Sequence, residues 1–205
     1  MKQYYERYWE RTELSPETDP YALTRLRLLR QFKPDGYLRA LDVGAGEGHV
    51  VAALAAQGVR ADGMDISETA ASAARERHPN CHFLVHSVED LPWPVDAGSL
   101  DLVTAFEVIE HLVEPRRMLP GARQALRIGG HLALTTPYHG LVKNVAIALL
   151  AFDRHFDVNG YHLRYFSNRA LRRLLEEEGF GMKRCVLYGR VPGLRAGVFV
   201  WAVRR

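Results

Sequence analysis

The chain has 205 residues, 47% hydrophobic and 25% charged, with a formal net charge of +3. This balance supports one soluble globular domain with a substantial core, and the mild excess of base permits an acidic substrate without demanding nucleic acid. Cys81 and Cys185 are not spaced as a metal motif and read as reduced core residues of a cytoplasmic protein; the polar, aromatic N-terminus is unlike a secretory signal, and the longest apolar run, Val145 to Phe152, is too short to span a bilayer.

Residues 1–14 predict a short helix with aromatic side chains at Tyr4, Tyr5, Tyr8 and Trp9. These either pack over one end of the fold or form a lid over a ligand. The segment 15–20 is bounded by prolines and reads as a loop. A second helix, Tyr21 to Phe32, directs Leu23, Leu26, Leu28 and Leu29 to the core and carries Arg25, Arg27 and Arg30 on a basic face. Leu38, Ala40, Leu41 and Val43 suit a covered parallel strand. Strands are predicted near 37–43, 59–65, 81–86, 99–106 and 130–136, with helices near 48–57, 67–77 and 115–127 and a helical turn at 107–111. Alternation of this kind gives a parallel sheet with right-handed crossovers. Ser67 can cap the 67–77 helix, and Gly129 and Gly130 can end the 115–127 helix. Beyond 137 the pattern predicts a helix at 140–152, a polar loop at 153–166 and a helix at 168–178, capped by Ser167 and ended by Gly179. Two β-like runs come last, Met182 to Tyr188 and Gly197 to Val203.

The stretch Asp42-Val-Gly-Ala-Gly-Glu-Gly48 joins a strand to a helix. Its glycines allow a sharp turn and close approach of backbone to a ligand. A turn at the carboxyl end of a strand is where ligands sit in open α/β sheets. Asp65 closes the next predicted strand, where a carboxylate can accept hydrogen bonds from both hydroxyls of a ribose. An acid just before the glycines would repel a pyrophosphate but suits a ligand carrying an ammonium and a sulfonium.

Asp42 to Gly48 resembles the first motif of class I S-adenosylmethionine-dependent methyltransferases. Three more stretches match that family in order. Gly63-Met-Asp65-Ile-Ser67 resembles the ribose-binding turn, Ser87-Val-Glu-Asp-Leu-Pro-Trp-Pro94 the adenine-edge loop, and Phe106-Glu-Val-Ile-Glu-His-Leu112 the motif after the fourth strand in the ubiquinone-biosynthesis-like, small-molecule branch. The resemblance is strong over residues 36–137. It implies an α/β fold: a Rossmann-like, seven-stranded, mostly parallel sheet with helices on both faces and an antiparallel C-terminal hairpin. On that frame residues 1–205 form a single domain. Residues 1–35 are a helical lid or cap, 36–137 the cofactor-binding core, 138–166 a substrate-side insertion, and 167–205 the last helix and hairpin.

The same resemblance implies the site. Asp42, Gly44, Ala45, Gly46 and Gly48 would hold the methionine end of S-adenosylmethionine, Asp65 the ribose, and Ile66 one face of the adenine. Ser87 stands where the family often has Asp; it, the Val88 amide and Glu89 would meet the adenine edge. Trp93, where the family usually has Phe, reads as core. Phe106 and Glu107 would lie beside the methyl group, with His111 either a base for the acceptor or a loop anchor. Tyr5, Tyr138 and His139 are candidates for the acceptor pocket, as are His162 and Arg164 of Gly160-Tyr-His-Leu-Arg-Tyr-Phe-Ser167, Arg164 for an acidic group. Asp153, His155, Asp157 and His162 lack metal-ligand spacing, so no metal is expected.

The implied reaction transfers a methyl group to oxygen, nitrogen or carbon of a small-molecule acceptor and leaves S-adenosylhomocysteine. The apolar run Val145 to Phe152 hints at an amphiphilic acceptor. Scattered arginines and the lack of a basic domain speak against nucleic acid. A protein acceptor, a non-catalytic cofactor-binding module and, on the glycines alone, a nicotinamide oxidoreductase are the rivals. The sequence leaves the oligomeric state open.

Overall fold

The structure, a computed structural model, describes residues 2–9, 19–152, 162–191 and 195–205. Helices α1 (Lys2–Trp9) and α2 (Ala22–Phe32) precede an alternating core: β1 (Arg39–Val43), α3 (His49–Ala55), β2 (Arg60–Asp65), α4 (Glu68–Arg77), β3 (His82–Val85) and β4 (Leu100–Phe106). A 3-10 turn (Ile109–His111), α5 (Pro115–Ala125) and β5 (Leu126–Pro137) come next, then α6 (Leu141–Leu150), α7 (Asn168–Glu177), β6 (Phe180–Tyr188) and β7 (Gly197–Arg204).

The seven strands form one sheet in the order β3-β2-β1-β4-β5-β7-β6. The pairs from β3 across to β5 are parallel, and β7 runs antiparallel to both β5 and β6. Every residue of β1 after Arg39 is buried, as a strand covered on both faces requires. One core cluster packs Leu41, Val43, Val103 and Leu132 with Met118 and Leu119 of α5 and Leu171 and Leu175 of α7. The other packs Ala40, Leu102 and Phe199 with Leu29 of α2, Val51 and Leu54 of α3, and Ala71 and Ala74 of α4. Helices therefore cover both faces of the sheet. Order reverses at β1, whose neighbours β2 and β4 carry the chain away in opposite directions; the crevice beyond these carboxyl ends is the place for a ligand.

Several sequence expectations shift. Helix α5 stops at Ala125 and β5 begins at once, so Gly129 and Gly130 lie inside the strand; the β4–β5 register slips there, and Gly129 takes a φ of +74°. Leu38 is 69% exposed and Leu23 68% exposed, so neither belongs to the core. In α2 the buried pair is Leu28 and Leu29. Ser67 and Ser167 do cap α4 and α7, each accepting from the backbone N–H three residues on. Residues 10–14 of the expected first helix, and residues 15–18 and 153–161 of the expected loops at 15–20 and 153–166, lie outside the described residues. Among the described residues, no helix is long and apolar enough to cross a membrane.

Candidate functional site

At the carboxyl ends of β1, β2 and β4 lies a cavity of about 510 Å³. The turn after β1 supplies its floor. Gly44 and Gly46 have φ of +67° and +51°, a region L side chains rarely adopt, and a Cβ on either would collide, with Val108 or with the ring of Trp9. Ala45 lines the cavity between them. Gly48 does not. It is the N-cap of α3, turned into the protein, where its missing Cβ makes room for Phe83.

Asp42, the last residue but one of β1, is almost wholly buried and accepts a hydrogen bond from the Thr104 hydroxyl on β4 at 2.5 Å. Burial pushes its carboxyl up to about 7, against the pull of Thr104, with the nearby Asp65 charge adding to the rise. Asp65, at the end of β2, ties two turns together. Its Oδ2 accepts from the Gly46 amide and its Oδ1 from the Ser67 amide, each at 2.9 Å. Burial raises this carboxyl too, although both amides favour its charged form. Ile66, Ser87, Val88 and Glu89 line the cavity beside it. The Ser87 hydroxyl is already engaged, accepting from the Glu89 amide at 3.2 Å, and Glu89 accepts from the Glu114 amide at 2.7 Å. Trp93 is buried and donates its indole N–H to the Val88 carbonyl at 3.1 Å.

The opposite wall comes from the end of β4 and the 3-10 turn beyond it. Phe106 and Glu107 line the cavity, and Glu107 holds a φ of +56°, a strained backbone for a non-glycine residue. Its carboxylate accepts from the Tyr188 hydroxyl at 3.1 Å and lies 3.8 Å from the Arg25 guanidinium. Arg25 pairs more closely with Asp19, and both line the cavity. The sequence expectation of a basic outer face fails at Arg25: its side chain is 11% exposed and points inward. A signal for this exists in the sequence, because Tyr21, Arg25 and Leu29 recur every four residues and share one helical stripe.

His111 and His162 also line the cavity, their rings 5.0 Å apart. Tyr5 stands edge-on to His111 at 6.3 Å. Behind His111 sits Glu110, fully buried, with neither carboxylate oxygen hydrogen-bonded among the described residues. Burial, reinforced by Glu107, pushes this carboxyl well above the usual range. Glu110, His111 and His162 each offer a ligand atom, all within 4.8 Å of one another, a spacing that could hold a divalent cation. The sequence suggests this group nowhere, since spacing draws attention to Asp153, His155, Asp157 and His162, of which the first three lie outside the described residues.

Three expected acceptor residues are elsewhere. Tyr138 forms a β-bridge with Phe166 just past the carboxyl end of β5. His139 is buried against Asn144 and Tyr165, 3.1 Å from the Asn144 side-chain oxygen. Arg164 fastens its loop, donating to the Val113 carbonyl at 2.6 Å, while its amide bonds the Glu110 carbonyl. Helix α6 contributes nothing to the lining either. Residues that the motifs do not point to also line it: Asp19, Tyr21, Arg25, Leu26 and His49, besides Tyr8 and Trp9 of the N-terminal aromatic group; Glu47, inside the first motif but given no role there, lines it as well.

Among the described residues, the lining carries six carboxylates, Asp19, Asp42, Glu47, Asp65, Glu89 and Glu107, against one guanidinium, Arg25. Asp19 is paired with Arg25 and Glu47 with Arg77, but the remaining acids still disfavour a dinucleotide pyrophosphate and suit a ligand with an ammonium and a sulfonium. The residues present therefore fit S-adenosylmethionine.

A family profile described as methyltransferase domain matches residues 8–183. A probable S-adenosylmethionine-dependent methyltransferase of Mycobacterium tuberculosis is 31% identical over 140 residues, covering 68% of this chain and 47% of that protein. The ubiquinone biosynthesis O-methyltransferase of Marinobacter nauticus is 31% identical over 136 residues, covering 63% and 57%. The chain thus spans about half the length of the curated relatives it matches. Among solved structures, a Thermotoga maritima protein described as an S-adenosylmethionine-dependent methyltransferase, possible histamine N-methyltransferase, superposes with a TM-score of 0.74 at 20% identity over all of both chains. The geranyl diphosphate C-methyltransferase of Streptomyces coelicolor, solved with Mg2+, geranyl diphosphate and S-adenosylhomocysteine, gives 0.72 at 15% identity, covering 100% of this chain and 98% of that one. These two share the fold. The profile match, the relatives and the acid-lined turn after β1 agree: the chain belongs to the methyltransferase domain family, in its class I, S-adenosylmethionine-dependent division.

Proposed function

We propose that this domain transfers a methyl group from S-adenosylmethionine to an oxygen, nitrogen or carbon atom of a small amphiphilic acceptor. The observation that carries the reading is one cavity lined both by Asp42 and Asp65, on the neighbouring strands β1 and β2, and by His111 and His162. Asp65 takes the ribose hydroxyls on the lone pairs its two backbone donors leave open. Asp42 faces the ammonium, and Gly44, Ala45 and Gly46 let the backbone approach the methionine end. Ile66 flanks the adenine. Ser87 brings no charge to the adenine edge and already accepts from the Glu89 amide, so its remaining lone pair acts beside the Val88 amide. Phe106 and Glu107 close the wall beside the methyl group.

The bound cofactor supplies a methyl group already activated by its sulfonium. The chain therefore has to align the acceptor and exclude water. Tyr5, Tyr8 and Trp9 roof the cavity, and His111 is the base that takes a proton from an acceptor hydroxyl or amine.

Tyr21, Leu26, Phe106 and Leu112 give the acceptor side an apolar wall, which supports an amphiphilic substrate. The names of the Marinobacter and Streptomyces proteins point the same way. The acidic substrate expected from Arg164 loses its anchor, because Arg164 is spent on Val113 and the cavity's own Arg25 is already neutralised by Asp19 and Glu107. We assign no nucleic-acid partner, and we place the reaction in the cytoplasm on the strength of two free cysteines.

The test is methyl transfer from radiolabelled S-adenosylmethionine to a panel of hydroxylated and amine-bearing amphiphiles, with RNA and protein as comparisons. Turnover is expected on a small molecule, and His111→Ala should lower kcat by ~10²–10⁴ while leaving S-adenosylhomocysteine binding intact. Turnover confined to RNA or protein would overturn the acceptor class.

A further inference from the structure

Helix α1 has no buried residue, yet it roofs the cavity. Tyr5, Tyr8 and Trp9 are half-buried against the cavity, and Glu6 adds a polar attachment. Its Oε1 accepts from the Glu68 amide at 2.9 Å, and its Oε2 accepts from the Thr69 amide at 3.1 Å and the Ser67 hydroxyl at 2.8 Å. The two amides belong to the first turn of α4, whose N–H groups have no partners within the helix. A carboxylate there also meets the positive end of the helix dipole. Partial burial would push the Glu6 carboxyl up, but the donors from Glu68, Ser67 and Thr69 outweigh it and hold the group down at about 2. The contact is therefore ionised at any working pH.

What Glu6 grips is the turn proposed to bind the ribose. Ser67 donates its amide to Asp65, and Asp65 in turn accepts from the Gly46 amide. Trp9, three residues along α1 from Glu6, lies against Gly46. The connections close on themselves: Glu6 to Ser67, Ser67 to Asp65, Asp65 to Gly46, and Gly46 to Trp9 on the same helix as Glu6. Helix α1 docks on the two turns that would hold the cofactor.

We propose that α1 is a lid over the cofactor and that Glu6 is its latch, a positioning residue acting through Ser67 and Asp65. The inference rests on the cofactor reading above. A lid that docks on both turns slows escape of the ligand, and by linkage the ligand steadies the lid.

The experiment compares the full chain with Glu6→Ala and Glu6→Gln. It reads three quantities: release of S-adenosylhomocysteine in a chase, protease cleavage within the first 20 residues with and without that compound, and thermal unfolding without ligand. In the wild type, S-adenosylhomocysteine should protect the N-terminus. In Glu6→Ala protection should be lost and release should quicken by ~10-fold, with association unchanged and unliganded melting lowered only by the small cost of an exposed helix-end contact, because three hydrogen bonds to a charged group are lost outside the core. Glu6→Gln, which keeps one acceptor oxygen, should fall between. Unchanged release and protection in Glu6→Ala would overturn the latch. So would a fall in unliganded melting that accounts for the weaker binding, since that marks a general structural role. Failure of the wild type to bind S-adenosylhomocysteine at all would instead overturn the cofactor reading, so the two failures are told apart.

Discussion

Asp42 is the residue at which the chemistry of the site should be visible as a pH dependence. Unliganded, its carboxyl is held up at about 7 by burial, with Thr104 and Asp65 as its near polar neighbours. A folded-state pKa above the unfolded value means that the folded chain binds the proton more tightly. The contribution to stability is then full below the unfolded value and lost as pH rises through about 7. A cationic ammonium reverses the preference, because it favours the ionised acid. Affinity for S-adenosylhomocysteine should therefore rise with pH up to about 7 and then level, losing up to roughly tenfold per unit below that point. Asp42→Asn should flatten this dependence. Calorimetric titrations at several pH values check it, and an equal slope in the Asn variant would assign the titration to another group.

At the scale of elements, the turn between β1 and α3 shows what sequence can and cannot reveal. Its glycines are legible because three of them come after an acid at a strand end, and the structure puts two of the three, Gly44 and Gly46, at the cavity. Gly44→Ala forces a side chain into a left-handed backbone and against Val108. We expect it to cost about 1–3 kcal/mol of stability in a urea titration; wild-type stability would mean that the turn rearranges freely. Gly48 looks the same in sequence but serves packing, because nothing local tells a glycine facing a ligand from one facing Phe83. The acceptor side is legible only in part. His111 and His162 reach the cavity although 51 positions separate them in the numbering, whereas Tyr138, His139 and Arg164 do not. Those three sit on segments that follow β5, and their direction depends on tertiary contacts that no spacing rule carries. Arg25 escapes notice for a different reason. A charged residue on an apolar stripe reads as surface, yet the pairing with Asp19 and Glu107 lets it stay inside.

The whole molecule explains why the cofactor is easier to name than the acceptor. One sheet, ordered β3-β2-β1-β4-β5-β7-β6, brings the ends of β1, β2 and β4 together, so the residues proposed to hold the cofactor come from strand-to-helix turns that each leave a linear motif. The wall proposed for the acceptor instead gathers α1, α2, the 3-10 turn after β4 and the segment around His162, pieces far apart in the chain. The alternation of strand and helix is sufficient to predict the layered fold. The central claim is that the acid-lined cavity holds S-adenosylmethionine through Asp65 and not a dinucleotide. The measurement that tests it most directly is calorimetric binding of S-adenosylmethionine, S-adenosylhomocysteine and NADH to the wild type and to Asp65→Ala. Both sulfur compounds should bind the wild type, Asp65→Ala should weaken them by roughly 10–100-fold through lost hydrogen bonds to a charged group, and NADH should not bind. Binding of NADH, or affinity for the sulfur compounds that is absent or indifferent to Asp65, would contradict it.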